Sequence, residues 1–563
     1  MRWETGLEPS VPGHRLAVGA TAGLFPGILL ATAVSPAALG PPLGVVLGAL
    51  YVLAVRPHEG TSIDGAFTAG ALAVLAWATL GASALPLAAG EGPAWSPAAI
   101  GPLLPAFATW VLAGVLLGVL VPTARELVAA LLGPEPDPGD DPAVETRIVV
   151  LGGGFAGLGA SKRLEERFGP DPTVDLTMVS EANAVLFTPL LAEVAAGSVE
   201  PSHITSPLRT SLRRTRVVRD RAVGVDVEAG TLRLSDAERP LPYDHLVLAP
   251  GSVPDPKGID EDREFVFDFK SLHDAVAIRN HVIDCFERAE TAVDPARRRS
   301  LVTFVVAGAG FAGSELAGAL NDFVRGTTVH YPSIPPEEVR VVVVHSRERI
   351  MPELSESLAA YARERMADRG VTFLLGERVA DAGEGVVTLS SGESIESETL
   401  VWTAGNRPSP FVERLDVPKT DRDEVRVDAT LAVEGRTGLW AAGDCAAMFD
   451  AETDERYPNT AEHALRAGRV VADNVYASVT GGTTRGLSYR SPGSLAVIGH
   501  QTACAEITDL RFSGLFAWVL WRGVYLSKLP GTDRKVRVFA DWLIAIFFPR
   551  DIVQTADTGR EGR

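Results

Sequence analysis

Two glycine-rich turns of one design recur about 156 residues apart in this chain. Gly152, Gly154 and Gly157 follow the apolar run Arg147 to Leu151, and Gly308, Gly310 and Gly313 follow the run Leu301 to Ala307. Each copy reads as a buried strand, a turn without side chains that lets a pyrophosphate approach the backbone, and a helix whose positive N-terminus faces the anion. Phe155 and Ala156 open the first helix and Phe311 opens the second. One such turn is a weak signal. Two predict two dinucleotides on one polypeptide, and the chemical reason to hold both is electron transfer between them.

A chain of 563 residues exceeds one core, so several domains are expected. Hydrophobic residues reach 46% although the formal charge is -19, which predicts an apolar part segregated from an acidic one. Acidic residues outnumber basic ones 71 to 52, and six lysines stand against 46 arginines. Such a surface suits high ionic strength and points to a halophilic source, with a GC-rich genome as the plainer reading of the arginines. It argues against a nucleic-acid partner. Cys285, Cys445 and Cys504 lie far apart, so neither a metal site nor a disulfide framework is expected, and the catalytic part belongs in a reducing compartment.

Four apolar stretches fill the first 132 residues: Leu16 to Val34, Ala37 to Val55, Gly65 to Ala89 and Ile100 to Val121. At about 19 to 25 residues each, they predict an all-α four-helix transmembrane domain. Arg2 and Arg15 precede the first stretch, Arg56 lies between the second and third, and Arg125 follows the fourth, so a multi-pass cell-membrane protein with both ends and its catalytic domain on the cytoplasmic side is expected. His58, Glu59, Asp64 and Glu91 read as loop residues rather than a proton path. Gly133 to Thr146 reads as an acidic, proline-rich linker.

From Arg147 onward, strand-like runs at Val174 to Val179, His245 to Leu248, Thr303 to Val306, Val339 to Val344 and Thr399 to Thr403 alternate with helical patterns. The fold class is α/β, with two Rossmann-like dinucleotide-binding domains. The expected layout is a membrane domain over 1–132, a linker over 133–146, a first dinucleotide domain over 147–300 and 411–480, a second over 301–410, and a C-terminal region over 481–563. In that last region, Ser513 to Ser527 and Val536 to Phe548 are aromatic-rich. Seven basic residues face two acidic ones between Arg511 and Arg550. These helices read as amphipathic membrane-surface elements, the alternative being a pair packed on the protein's own core.

Glu181 falls 24 residues beyond Gly157 at the end of the second strand, where an acid holds adenosine ribose hydroxyls. Trp440 to Asp444 ends another apolar strand in Gly443-Asp444 and, with an upstream glycine turn, makes an FAD signal.

Six blocks stand in order along the chain: Leu186 to Gly197 (LFTPLLAEVAAG), Tyr243 to Gly251 (YDHLVLAPG), Gly313 to Gly318 (GSELAG), Trp402 to Gly405 (WTAG), Pro458 to His463 (PNTAEH) and Phe548 to Asp551 (FPRD). Through them the sequence from Arg147 to Gln554 resembles the type II NADH dehydrogenases, membrane-surface NADH:quinone oxidoreductases. The resemblance implies FAD, NADH or NADPH as donor, a quinone as acceptor, and a place in respiratory electron transport with membrane lipid as a partner; a homodimer is allowed for. It implies Thr188 and Pro189 beside the isoalloxazine, Ala249 to Gly251 over the FAD diphosphate, Glu315 toward the nicotinamide, Asp444 on the ribityl chain, and Thr460, Ala461 and Glu462 near the flavin's pyrimidine edge and the quinone. Ala404 and Gly405 join the cofactor-binding set. None of these is a nucleophile, because hydride passes directly between stacked rings.

Two departures stand out. His345-Ser346-Arg347 replaces the acid that normally closes the second strand of the nicotinamide unit, which opens the site to a 2'-phosphate. Glu462 stands where the family has a glutamine, and a carboxylate there could couple proton uptake to acceptor reduction. No cysteine lies in Phe155 to Phe168, which excludes a disulfide reductase. Alternatives are another lipid-soluble acceptor, a sulfide:quinone reductase-like activity, or, from a different class, a flavin redox sensor or membrane scaffold.

Overall fold

The computed structural model describes residues 11–32, 37–55, 62–84, 97–132, 144–257, 259, 265–383, 385–491, 493–507 and 510–555. Contacts divide the chain into two units: Met1–Asp141 with Gly531–Asp533, and Pro142–Pro530 with Arg534–Arg563.

The first unit is helical: Val11–Leu30, Gly40–Val55, Ser62–Ala76 running on into a π-helical Trp77–Ala84, and Pro97–Leu132. The first two helices touch backbone to backbone; a Cβ on Gly23 would sit 2.1 Å from the Gly44 carbonyl oxygen. The expected four-span transmembrane domain does not stand. Among the described residues one helix, Leu104–Ala124, is long and apolar enough to cross a membrane, and the apolar helices Leu16–Leu30, Gly40–Val52 and Thr68–Leu80 are shorter. At 1.5 Å per residue, apolar helical stretches of 13 to 15 residues fall short of a hydrocarbon core of about 30 Å. The first three apolar runs counted in the sequence are longer than these stretches, and part of them, 33–34 and 85–89, lies outside the described residues. The multi-pass cell-membrane location and the cytoplasmic side inferred from loop charges fall with it. Of the linker, residues 133–143 lie outside the described ones, as do His58, Glu59 and Glu91; Thr146 begins a strand.

The second unit holds two five-stranded parallel sheets that share the order of four strands and differ in the edge strand, which comes last in the chain in the first sheet and first in the chain in the second. In the first, the strands run Leu439–Ala441, His245–Leu248, Thr146–Leu151, Val174–Ser180, Arg216–Arg219. In the second they run Val266–Asp268, Leu400–Trp402, Thr303–Ala307, Arg340–His345, Val371–Leu375. Each glycine turn follows the central strand of its sheet. Central strands are covered on both faces, which is why Ile148 to Leu151 and Phe304 to Ala307 are uniformly buried apolar runs rather than alternating ones. The antiparallel pair Ser252–Pro254 and Asn406–Pro408 carries the chain from one sheet region to the other and back.

Beyond the helix Ala461–Thr480 come three antiparallel strands, Gly493–Gly499, Thr502–Ile507 and Leu510–Ser513, and two helices, Gly514–Lys528 and Thr532–Phe547. Trp521, Val538 and Trp542 enter the core that lies around the second sheet. Arg522 is clamped between the rings of Trp518 and Trp542, at 3.8 and 4.6 Å from their centroids. The opposite face leaves Val536, Phe539, Leu543, Ile544, Phe547 and Phe548 exposed. The helix pair is therefore both packed on the core and apolar outside.

Candidate functional site

The first turn is built by close approach. Gly152 has φ of +112°, and a Cβ on it would lie 2.0 Å from the Ala249 carbonyl oxygen; one on Gly157 would lie 1.8 Å from the Gly152 oxygen. Only glycine fits either place. Gly154 is different: it caps the helix Phe155–Phe168 with no side-chain hydrogen bond, and a Cβ there would meet nothing within 4 Å. The start of that helix thus has room beside Gly154 and no side-chain cap, as an anion cradle requires.

Further groups gather around it. Gly443 (φ +83°) abuts the methyl of Ala156, and Gly468 brings the helix Ala461–Thr480 against the Ala156 carbonyl. Gly251 (φ +74°) faces open space. Asp444 accepts hydrogen bonds from the Ser252 hydroxyl at 2.7 Å and the Lys270 ammonium at 3.0 Å. Glu181 directly follows the strand Val174–Ser180 and lies exposed, with Arg221 at 3.7 Å. Thr188 and Pro189 form a single 3-10 turn, Thr188–Leu190, anchored by buried Phe187, Leu190 and Leu191.

The second turn repeats the pattern. A Cβ on Gly308 (φ +108°) would strike the Thr403 hydroxyl at 2.7 Å, and one on Gly313 the Gly308 oxygen at 2.1 Å; Gly310 caps Phe311–Thr328 with open space before it. Ala404 and Gly405 follow Thr403 at the end of the neighbouring strand. His345 ends the next strand, where its Nδ1 accepts the Ala309 N–H, and Arg347 is exposed just beyond. Burial, then Arg347, hold the His345 pKa down.

Between the turns, the ring of Phe155 meets Phe187 edge-on at 6.1 Å, Phe187 meets Tyr525 at 6.3 Å, and Tyr525 meets Trp521 at 4.7 Å. This aromatic chain ties the first turn to the helix Gly514–Lys528. Glu315 accepts the Val497 N–H at 3.2 Å, and burial pushes its carboxyl up to about 8. Burial likewise raises Glu193, which accepts from the Trp542 indole and lies 3.8 Å from Arg522. Glu462, on the first turn of a helix capped by Thr460, goes the other way. Half-burial alone would raise it, yet Lys528 at 2.6 Å and the Tyr489 hydroxyl hold it below the usual range.

Lys270, Ser252, Glu193, Tyr525, Lys528 and Tyr489 carried no assigned role in the sequence reading. The one available signal was scarcity: Lys270 and Lys528 are two of six lysines. All three cysteines are buried with thiols pushed up to about 12 by that burial, so none supplies a thiolate.

The family model described as pyridine nucleotide-disulphide oxidoreductase matches residues 146–468, and that described as the NDH2 C-terminal domain matches residues 492–551. The type II NADH:quinone oxidoreductases Ndh and NdhA of Mycobacterium tuberculosis are similar to this chain. Ndh is 29% identical over 439 residues, 74% of this chain and 92% of the relative. NdhA is 30% identical over 418 residues, 71% of this chain and 87% of the relative. Among solved structures, NDH2 from Plasmodium falciparum in complex with NADH has a TM-score of 0.67 at 17% identity, covering 73% of this chain and all of that one.

Proposed function

The chain belongs to the type II NADH:quinone oxidoreductases, and from that premise we propose how its residues divide the work. The enzyme takes hydride from NAD(P)H by way of FAD and delivers electrons to a quinone-like acceptor. FAD supplies the two-electron chemistry that no side chain of the protein has. We assign it to the first turn, in the domain formed by 147–300 and 411–480. Gly152, Gly154 and Gly157 with the helix N-terminus cradle its diphosphate, Glu181 takes the ribose, Asp444 the ribityl chain, and Thr188, Pro189 and Ala461 border the ring. The second turn, in 301–410, receives NAD(P)H on Gly308, Gly310 and Gly313, with Glu315 toward the nicotinamide.

The observation that carries this reading is the pair of helix N-termini at Gly154 and Gly310, where no side chain makes a capping hydrogen bond and a Cβ would enter space without touching protein. A glycine kept where the fold itself does not demand one points to a ligand that approaches the backbone. Stopped-flow reduction of the bound flavin by NADH and by NADPH, followed by a quinone analogue, tests donor and acceptor together. Flavin that neither nucleotide reduces would refute the reading.

Two finer points rest on specific observations. His345 is neutral toward the second turn and Arg347 is exposed with no ion pair among the described residues, which supports acceptance of a 2'-phosphate and hence NADPH beside NADH. The exposed apolar row from Val536 to Phe548, with Arg534, Lys535 and Arg537 on the same helix, supports contact with membrane lipid through the C-terminal helices.

A further inference from the structure

Lys270 is held from two sides. Its backbone N–H donates to Asp274 Oδ2 at 3.0 Å, inside the capping box that Ser271 and Asp274 form at the start of the helix Leu272–Glu290. Its ammonium lies 3.0 Å from Asp444 Oδ2 and 2.9 Å from the Ser252 hydroxyl, which itself donates to Asp444 Oδ2 at 2.7 Å. The three side chains close a triangle drawn from three separate segments: the strand Ser252–Pro254, the entry to the helix Leu272–Glu290, and the Gly443-Asp444 turn. Both donors fall on one carboxylate oxygen. Oδ1 accepts from none of the described residues, so the contacts fix the carboxylate's rotation and leave one oxygen to a ligand. Exposure of the Asp444 side chain is 18%, so its charge is only partly screened by water.

We propose that Lys270 is a positioning residue that orients Asp444 for the flavin and cancels its charge, so the pair adds no net field to a ring that turns negative on reduction. The inference rests on the assignment of Asp444 to the flavin. NAD(P)H gives up two electrons and one proton together and leaves as NAD(P)+, so the acceptor gains one negative charge. A lone carboxylate beside it opposes that gain; a carboxylate paired with an ammonium does not.

The test uses the full-length holoenzyme and reads the flavin itself: its dissociation constant, and its redox equilibrium against a reference dye. Lys270→Met should lower the equilibrium constant for two-electron reduction about tenfold, ~30 mV in midpoint potential, and loosen FAD severalfold. Lys270→Arg should recover most of both. Adding Asp444→Asn to Lys270→Met should return the potential toward the parent value, because the pair is again neutral; a merely structural lysine gives no such recovery. If Lys270→Met does not fold, Lys270→Gln carries the same comparison. A potential unmoved by loss of the lysine, or unrecovered in the double variant, overturns the proposal. Should Asp444→Asn alone change neither FAD affinity nor potential, the assignment of Asp444 fails and the inference goes with it. If Asp444→Asn acts while Lys270→Met does not, the assignment survives and only the inference is lost.

Discussion

The backbone N–H of Ala309, inside the second glycine turn, donates to Nδ1 of His345 across 3.1 Å. Accepting on Nδ1 makes His345 a neutral imidazole with its proton on Nε2, so the end of the strand Arg340–His345 presents no negative charge to an incoming ribose. Arg347→Glu should therefore raise KM for NADPH at least tenfold over its effect on NADH, ~1.4 kcal/mol of discrimination. Steady-state kinetics with both donors check it; equal effects would remove Arg347 from the nucleotide site.

The same histidine sets a pH dependence. Its folded pKa lies below the unfolded value near 6.5 because of burial and Arg347. The unfolded chain thus binds the proton first as pH falls, and the native state loses stability below about pH 6.5. His345→Gln should flatten that acid limb in thermal melts. An unchanged limb would show that protonation of His345 does not contribute to it.

Glu315 works in the opposite sense. Its folded pKa, near 8, stands above the unfolded carboxylate value, so the folded state binds more protons and stability falls as pH rises from about 4.5 through 8. Glu315→Gln should remove ~1–3 kcal/mol of that loss at pH 9, allowing for screening of a part-exposed group. Melting curves at pH 6 and pH 9 make the comparison. A variant gaining nothing at the higher pH would mean Glu315 ionises freely.

Lys528 joins the helix Gly514–Lys528 to Glu462 on the helix Ala461–Thr480. Because Glu462 titrates below its usual range, this pair contributes stability that is present above about pH 4.5 and lost as pH falls through the depressed value. Lys528→Met should cost about 1 kcal/mol at pH 7 for a pair that is partly exposed, and raise KM for the quinone more than for NAD(P)H. Equal changes in the two KM values would separate the pair from the acceptor site.

The glycine turns were legible because the chain has few ways to let backbone meet backbone. Gly152, Gly157, Gly308 and Gly313 each leave no room for a Cβ, and their spacing announces that without reference to distant partners. Short apolar runs also located the strands closely: Val174 to Val179 was read and Val174–Ser180 forms, which puts Glu181 immediately after the strand end. The contacts that complete the site span the chain instead. Lys270 meets Asp444 across 174 residues and Trp542 meets Glu193 across 349, distances over which local periodicity carries no information. The N-terminal error has another origin. Hydropathy adds up apolar residues whether or not one helix holds them, and the regular helix Ser62–Ala76 gives way to π-helical winding at Trp77.

The most direct test of two dinucleotides in two turns is Gly310→Val. Its φ of -70° suits any residue and its Cβ would meet no protein atom, so the variant should fold and retain FAD. The predicted result, read by stopped-flow absorbance of the purified holoenzyme, is a fully bound flavin whose reduction by NADH and NADPH is abolished. Loss of the flavin with the valine in place, or reduction at the parent rate, would contradict the account.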